Sequence, residues 1–326
     1  IYHRWGGLGS HRYQMGFSGD TLVRWSMLAA IPWFTATSGN VGYGYWGHDI
    51  GGHMDPQGAG HEPEIFTRWL QGAVFTPLFK THSGCTPEIE RRIWKYPDHF
   101  ETMRETFRLR YRLAPYVYTA ARAAYDTGVS ICRPLYWDNP EDETAYSPNL
   151  TELRFGPDVV SLTVARHTDP ATSLATVRLW LPPKASAADL WYDAATGEML
   201  PSGEMLARAY TIDETPWFVR AGAILPMNPP SVRNLQACTG EAVELFVAPG
   251  AEHGETTIYE DDGTGADYAT QFATRRIGWQ AAADGKASVD ANWLNGHVPF
   301  KTNAVIRLDG TSVKGMTWIC SAGTES

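Results

Sequence analysis

Three polar side chains stand where a folded chain would offer them to a ligand. Asp20 closes the run Gly16-Phe17-Ser18-Gly19-Asp20, Asp49 follows the aromatic segment Tyr43–Trp46, and His82 follows Phe79-Lys80-Thr81. Each comes just after an apolar or aromatic stretch. If those stretches are parallel barrel strands, their C-terminal ends share one face and the three groups converge there. A carboxyl held in such a place does acid–base work on a bound substrate. Read alone, Asp20 is also an ordinary helix N-cap, because an Asp before a helical run satisfies free backbone N–H groups.

Other patterns carry less. Gly42-Tyr-Gly-Tyr-Trp-Gly47 has the spacing of a dinucleotide fingerprint. That motif needs a helix N-terminus directly after the glycines. His48-Asp49-Ile50-Gly51-Gly52 is poor helix material, so a site-lining loop fits better. His48, Asp49 and His53 are metal-ligand types, but no further ligand at regular spacing completes a set, and no metal is expected. Asp261-Asp262-Gly263-Thr264-Gly265-Ala266-Asp267 lacks the terminal Glu of a calcium loop and reads as a turn between strands. No cofactor is called for by any of these patterns.

The elements that must position the polar groups fall into two kinds. Up to about residue 140 the chain mixes helical and short buried runs, as βα units do. Thr21–Ala30 reads as a helix, and Val41–Trp46 and Ala73–Phe79 as short strands. Glu101–Thr127 is helical by its apolar spacing, with Pro115 expected to break it and Gly128 to stop it. The charges along Arg104–Arg112 read as a solvated face. Beyond that point the pattern is β: Val177, Leu179 and Leu181 alternate with Arg178 and Trp180, and Val243, Leu245 and Val247 alternate likewise. Turn clusters recur at Asp193–Gly197, Pro201–Gly203 and Asp261–Gly265. Pro226–Asn234 reads as a linker between two β units.

Composition bounds the answer. The chain has 326 residues, 43% of them hydrophobic and 19% charged, enough to build a packed core. Its net charge of −9 argues against a nucleic-acid partner. A slight basic excess in residues 1–135 gives way to a strong acidic excess, as expected of different domains. No apolar run is long enough for a membrane span. Cys85, Cys132, Cys238 and Cys320 lie far apart, which excludes a zinc ribbon or a dense disulfide framework. The chain opens at Ile1 with no leader in view, so a signal peptide is either absent or lies upstream. The compartment is open, periplasmic or secreted included. The 13 Trp residues suit a sugar-binding cleft as well as a core.

At the polar groups a resemblance becomes specific. Arg4-Trp-Gly-Gly with Gly16-Phe-Ser-Gly-Asp20 resembles family-31 glycoside hydrolases, the α-glucosidase and α-xylosidase family. Tyr45-Trp-Gly-His-Asp49-Ile-Gly-Gly and Pro77-Leu-Phe-Lys-Thr-His82 are similar to the next two blocks, and Cys132-Arg-Pro-Leu-Tyr-Trp-Asp138-Asn-Pro to the block closing the barrel. Trp217–Pro226 and Tyr259-Glu-Asp-Asp-Gly263 resemble hallmarks of the proximal and distal β-sandwiches. The blocks come in family order along nearly the whole chain.

The resemblance implies a mixed α/β and all-β fold. Residues 1–140 would be the C-terminal part of a catalytic (β/α)8 TIM-type barrel. Two antiparallel β-sandwiches would follow, a proximal one over 141–230 and a distal one over 231–326. It implies a retaining, exo-acting α-glycosidase working on an oligosaccharide or α-glycoside. Asp20 takes the general acid/base role, and Arg4, Phe17, Asp49 and His82 contact sugar. Trp46 is a pocket wall or barrel core, and His53 stands where the family often has Phe. The family's nucleophile, an Asp in an aromatic-Asp-Met-Asn block, has no counterpart in these 326 residues, so the chain is expected to need the first half of the barrel. Retaining chemistry needs two carboxyls about 5–5.5 Å apart. The acid must stay protonated, so Arg4 is expected to face the sugar rather than Asp20. A sugar-binding module without turnover and a purely structural fragment remain as alternatives.

Overall fold

The computed structural model describes all residues except 1, 5, 56–61, 86, 185–188, 236–241, 282–286, 297–302, 309–317 and 323–326. Its first strands, β1 (Met15–Phe17) and β2 (Tyr45–Gly47), pair in parallel, with Gly16 opposite Trp46. Helix α1 (Trp25–Ser38) connects them, giving one βα unit. A parallel bridge between Ile50 and Thr81 adds the next edge, reached through α2 (Pro63–Ala73). Among the described residues these parallel pairs form part of a barrel wall and not a closed ring.

Two local expectations are corrected here. The helix read over Thr21–Ala30 starts at Trp25 and runs to Ser38 through Pro32. Residues 21–23 are held extended from afar: Val23 donates to the Met54 carbonyl, and Thr21 accepts from the N–H groups of His53 and Met54. The stretch Ala73–Phe79 is no strand. Ala73 ends α2, and Val74–Phe79 turns, with Thr76 Oγ1 donating to the carbonyls of Ala73 and Leu78. Val74 and Phe75 are fully buried, and a buried apolar run of this length has no periodicity of its own.

The long helical stretch divides as its proline demands, into α3 (Phe100–Arg112) and α4 (Ala114–Thr127). Gly128 caps α4 with φ of 75°, its N–H donating to the Ala124 carbonyl. The charged face is solvated at Arg104 and Arg108, which pair with Glu101 and Glu105. Arg110 departs from it. It turns inward to the carbonyls of Val74, Thr76 and Pro77, and desolvation lowers its pKa to about 10.

Downstream the described elements are β-strands, apart from short 3-10 helices at Leu135–Trp137 and Glu143–Tyr146. Strands β3 (Cys132–Arg133), β4 (Glu152–Phe155), β5 (Val159–Leu162), β6 (Ala175–Trp180), β7 (Leu190–Asp193), β8 (Met199–Pro201), β9 (Met205–Tyr210) and β10 (Trp217–Arg220) make two antiparallel sheets. One runs in the order β3-β4-β5-β10-β7-β8, and the other pairs β6 with β9. Val160, Trp191 and Phe218 of the first share an apolar cluster with Val177, Leu179 and Tyr210 of the second.

Strands β11 (Ile224–Met227), β12 (Ala242–Val247), β13 (His253–Glu260), β14 (Ala273–Ala281), β15 (Ala287–Gly296), β16 (Asn303–Leu308) and β17 (Trp318–Ala322) form two further sheets, β11-β12-β16 and β13-β14-β15-β17. Two of their pairings, β12 with β16 and β15 with β17, are parallel, which corrects the expectation of purely antiparallel sheets. Pro226 lies within edge strand β11, opposite Leu245, where a missing N–H is tolerated. The stretch read as a linker therefore begins inside a strand.

The turn at Asp261–Asp267 is fastened by its own two leading carboxylates. Asp262 Oδ1 accepts from the N–H groups of Thr264 and Gly265, and Asp261 accepts from Tyr118 and Tyr259 hydroxyls. Its first carboxylate therefore ties the β13–β14 connection to α4.

Candidate active site

The loops after β1 and β2 and the bridge at Thr81 bring the polar groups together. Asp20 sits past β1, and its Oδ1 lies 2.7 Å from Arg4 Nη1 and 4.0 Å from His53 Nδ1. The rings of His53 and His82 are 5.1 Å apart, centroid to centroid. Ligating atoms of Asp49, His53 and His82 all lie within 4.8 Å of one another. Asp20, Asp49, His82 and Arg4 therefore surround one place, with His53 at its centre.

Arg4 pairs directly with Asp20, which corrects the expectation that it would face away. Gly19 explains the approach. It adopts φ of 79°, and a Cβ there would stand 2.9 Å from Arg4 Cδ. Asp20 does not cap α1. The N-cap position is Arg24, and no side chain caps that end.

Asp49 has no exposed surface, and Lys80 Nζ lies 2.6 Å from its Oδ1. Lys80 also lies over the ring of Phe17 at 4.6 Å and that of Tyr2 at 5.0 Å, and these two rings stack 4.6 Å apart. Burial, then the nearby Asp49 carboxylate, push the Tyr2 hydroxyl pKa upward. Behind this layer Arg91 donates to the carbonyls of Gly51 and Gly52, fixing the loop between Asp49 and His53. Sequence reasoning missed Tyr2, Lys80 and Arg91 as site residues. Lys80 was legible only as a member of the block ending in His82.

Two residues lie elsewhere. His48, offered as a metal-ligand type, is buried between Thr35 Oγ1 at 2.7 Å and Ser18 Oγ at 2.9 Å. Burial lowers its pKa to about 3, so it is neutral. The trio that gathers is Asp49, His53 and His82, and an ammonium already neutralises its carboxylate. Trp46 is buried against Phe34 and Tyr43, with centroids 5.0 and 5.3 Å away, in the aromatic layer next to α1.

Residues 1–120 match the model of the glycosyl hydrolases family 31 TIM-barrel domain, and residues 128–225 that of the family 31 C-terminal domain. The chain is 33% identical over 257 residues to an alpha-xylosidase of Saccharolobus solfataricus, covering 78% of this chain and 33% of that protein. It is 27% identical to human neutral alpha-glucosidase AB, over 86% of this chain and 29% of that one. Among solved structures, the family-31 alpha-xylosidase of Xanthomonas citri superposes with a TM-score of 0.76 at 26% identity, over 94% of this chain and 33% of that one. A Flavobacterium johnsoniae dextranase in complex with glucose gives 0.72 at 25% identity, over 82% and 33%. The chain thus spans about a third of the length of these relatives. With two family-31 domain models matched in order along one chain, the protein belongs to glycosyl hydrolase family 31.

Proposed function

We propose that this chain is the C-terminal part of a retaining, exo-acting α-glycoside hydrolase, with Asp20 as its general acid/base. The observation that carries this reading is the gathering of Asp20 with Arg4, His53, Asp49 and His82 at one end of the parallel strands. Asp20 protonates the leaving oxygen and later takes a proton from water. Arg4 is the group that holds Asp20 until a sugar arrives. Asp49, fixed by Lys80, and His82 hydrogen-bond sugar hydroxyls, and Phe17, stacked on Tyr2, offers an apolar surface to the ring. The relatives' names point to terminal α-xylosyl or α-glucosyl units as substrates.

The nucleophile is assigned to a carboxylate outside these 326 residues, on the first half of the barrel. The β region is assigned to a proximal sandwich over 141–230 and a distal one over 231–326. The shared apolar cluster between the six-stranded sheet and β6–β9 supports the first; the cluster joining Ile224 and Leu245 to Ile258 and Trp279 supports the second, and it draws β11 (Ile224–Met227), which pairs with β12, into that unit from before residue 231. Hydrolysis of aryl α-xyloside and α-glucoside by the protein carrying this chain, compared with its Asp20→Asn variant, tests the assignment. Full retention of activity by the variant would refute it.

A further inference from the structure

His53 joins the two loops that carry Asp20 and His82. Its N–H donates to the Thr21 carbonyl, and its own carbonyl accepts from the Gly84 N–H, both at 2.8 Å. Arg91 holds the two preceding residues, Gly51 and Gly52, by their carbonyls. The backbone at His53 is therefore fixed from both sides, and its ring packs against that of His82. This aims Nδ1 at Asp20 Oδ1, 4.0 Å away.

At that distance the two atoms stand about 1 Å too far apart for a hydrogen bond. His53 Nδ1 is buried and has no hydrogen-bond partner among the described residues. A buried polar atom left in that state is costly, so a partner within reach matters. Asp49, the other carboxylate near the ring, is already held by Lys80. Asp20 Oδ1 is held instead by Arg4, at 2.7 Å. The Asp20 side chain is 40% exposed and that of His53 20%, so the carboxyl is the partner with room to move.

We propose that His53 is a positioning residue for Asp20, an inference that rests on Asp20 being the acid/base. When a sugar draws Arg4 away, His53 donates its Nδ1–H to the oxygen that Arg4 gives up. In a retaining reaction Asp20 first gives its proton to the leaving oxygen. Later, as a carboxylate, it takes a proton from the water that attacks the glycosyl-enzyme. Between the two steps a donor on Oδ1 holds the carboxylate in place and leaves its other oxygen turned to the water. His53 gains and loses no proton in this cycle; it sets where Asp20 stands.

The test uses the protein carrying this chain together with the first half of the barrel. Aryl glycosides with acidic leaving groups form the glycosyl-enzyme with little help from the acid, so their kcat reports the water step. On these, His53→Phe is expected to lower kcat by about 10- to 100-fold, and to lower kcat/KM less. His53→Asn, whose amide donates from the same place, should keep most of kcat. Azide attacks the intermediate without giving up a proton, so it should restore turnover of His53→Phe as glycosyl azide. A merely distorted pocket would not respond in this way. With the parent trapped as its intermediate by a fluorinated sugar, His53 Nδ1 is expected about 3 Å from Asp20 Oδ1, a readout that needs no variant. Equal losses in His53→Phe and His53→Asn without azide rescue, or an unchanged separation in the trapped parent, would overturn the proposal. Asp20→Asn is assayed alongside. If it keeps full activity, the acid/base reading falls and this one with it. If it does not, and His53→Phe matches the parent, this one falls alone.

Discussion

Lys80 Nζ lies 2.6 Å from Asp49 Oδ1, joining a side chain that is 36% exposed to a carboxylate with no exposed surface. Removing the ammonium would strand a buried negative charge, which is far more costly than losing a surface pair. Lys80→Met is therefore expected to destabilise the fold by about 2 kcal/mol, less than the ~3–5 kcal/mol of fully buried pairs because Lys80 is partly solvated. Lys80→Arg should keep most of the stability. Urea unfolding of both variants checks this, and equal stability of Lys80→Met and the parent would show that the pair does not hold Asp49.

Gly19 is required by its backbone and its neighbour. At φ of 79° any L side chain is strained, and a Cβ would meet Arg4 Cδ at 2.9 Å. Gly19→Ala is expected to cost about 1–2 kcal/mol in stability. It should also push Arg4 away from Asp20. A melting curve and a crystal structure of the variant read the two effects separately.

Glu152 makes stability depend on pH. Burial raises its pKa from 4.5 to about 7, although its Oε1 accepts from the Trp180 N–H at 2.7 Å. The folded state therefore keeps a proton that the unfolded chain gives up first. Stability contributed by the protonated form is present below pH 4.5 and is lost as pH rises towards 7. The size is of order 3 kcal/mol. Glu152→Gln keeps the acceptor oxygen and cannot ionise, so its stability should fall less than the parent's between pH 5 and 8. Parallel stability–pH curves for the two proteins would contradict the assignment.

The sequence carried the helix break at Pro115 and the cap at Gly128, because each depends on a few adjacent residues. It did not carry what depends on distant partners. Thr21–Val23 would join α1 but for hydrogen bonds to His53 and Met54. Val74–Pro77 is buried throughout and so shows no period. Arg110 looked like one charge among many until its three carbonyl partners, over thirty residues away, were in place. The pairing of Arg4 with Asp20 is of the same kind, since nothing local to either residue sets it.

If Asp20 is the acid, its loss should matter in proportion to how much the leaving group needs a proton. Asp20→Asn in the intact enzyme is expected to lower kcat/KM by about 10²–10⁴ on substrates with basic leaving oxygens, and much less on aryl glycosides with acidic ones. Equal losses on both would make Asp20 a binding residue.

In the function proposed above, this chain supplies the acid/base and the sugar contacts of a two-carboxylate site while the nucleophile comes from elsewhere. The most direct measurement is hydrolysis of aryl α-glucoside and α-xyloside by residues 1–326 alone, and again after the first half of the barrel is added. Removing one member of a catalytic unit can cost about as much as removing all of it. The expected result is no turnover above background for the chain alone and Asp20-dependent turnover for the reconstituted pair. Clear activity of the chain alone, abolished by Asp20→Ala, would place the second carboxylate within these residues and contradict it.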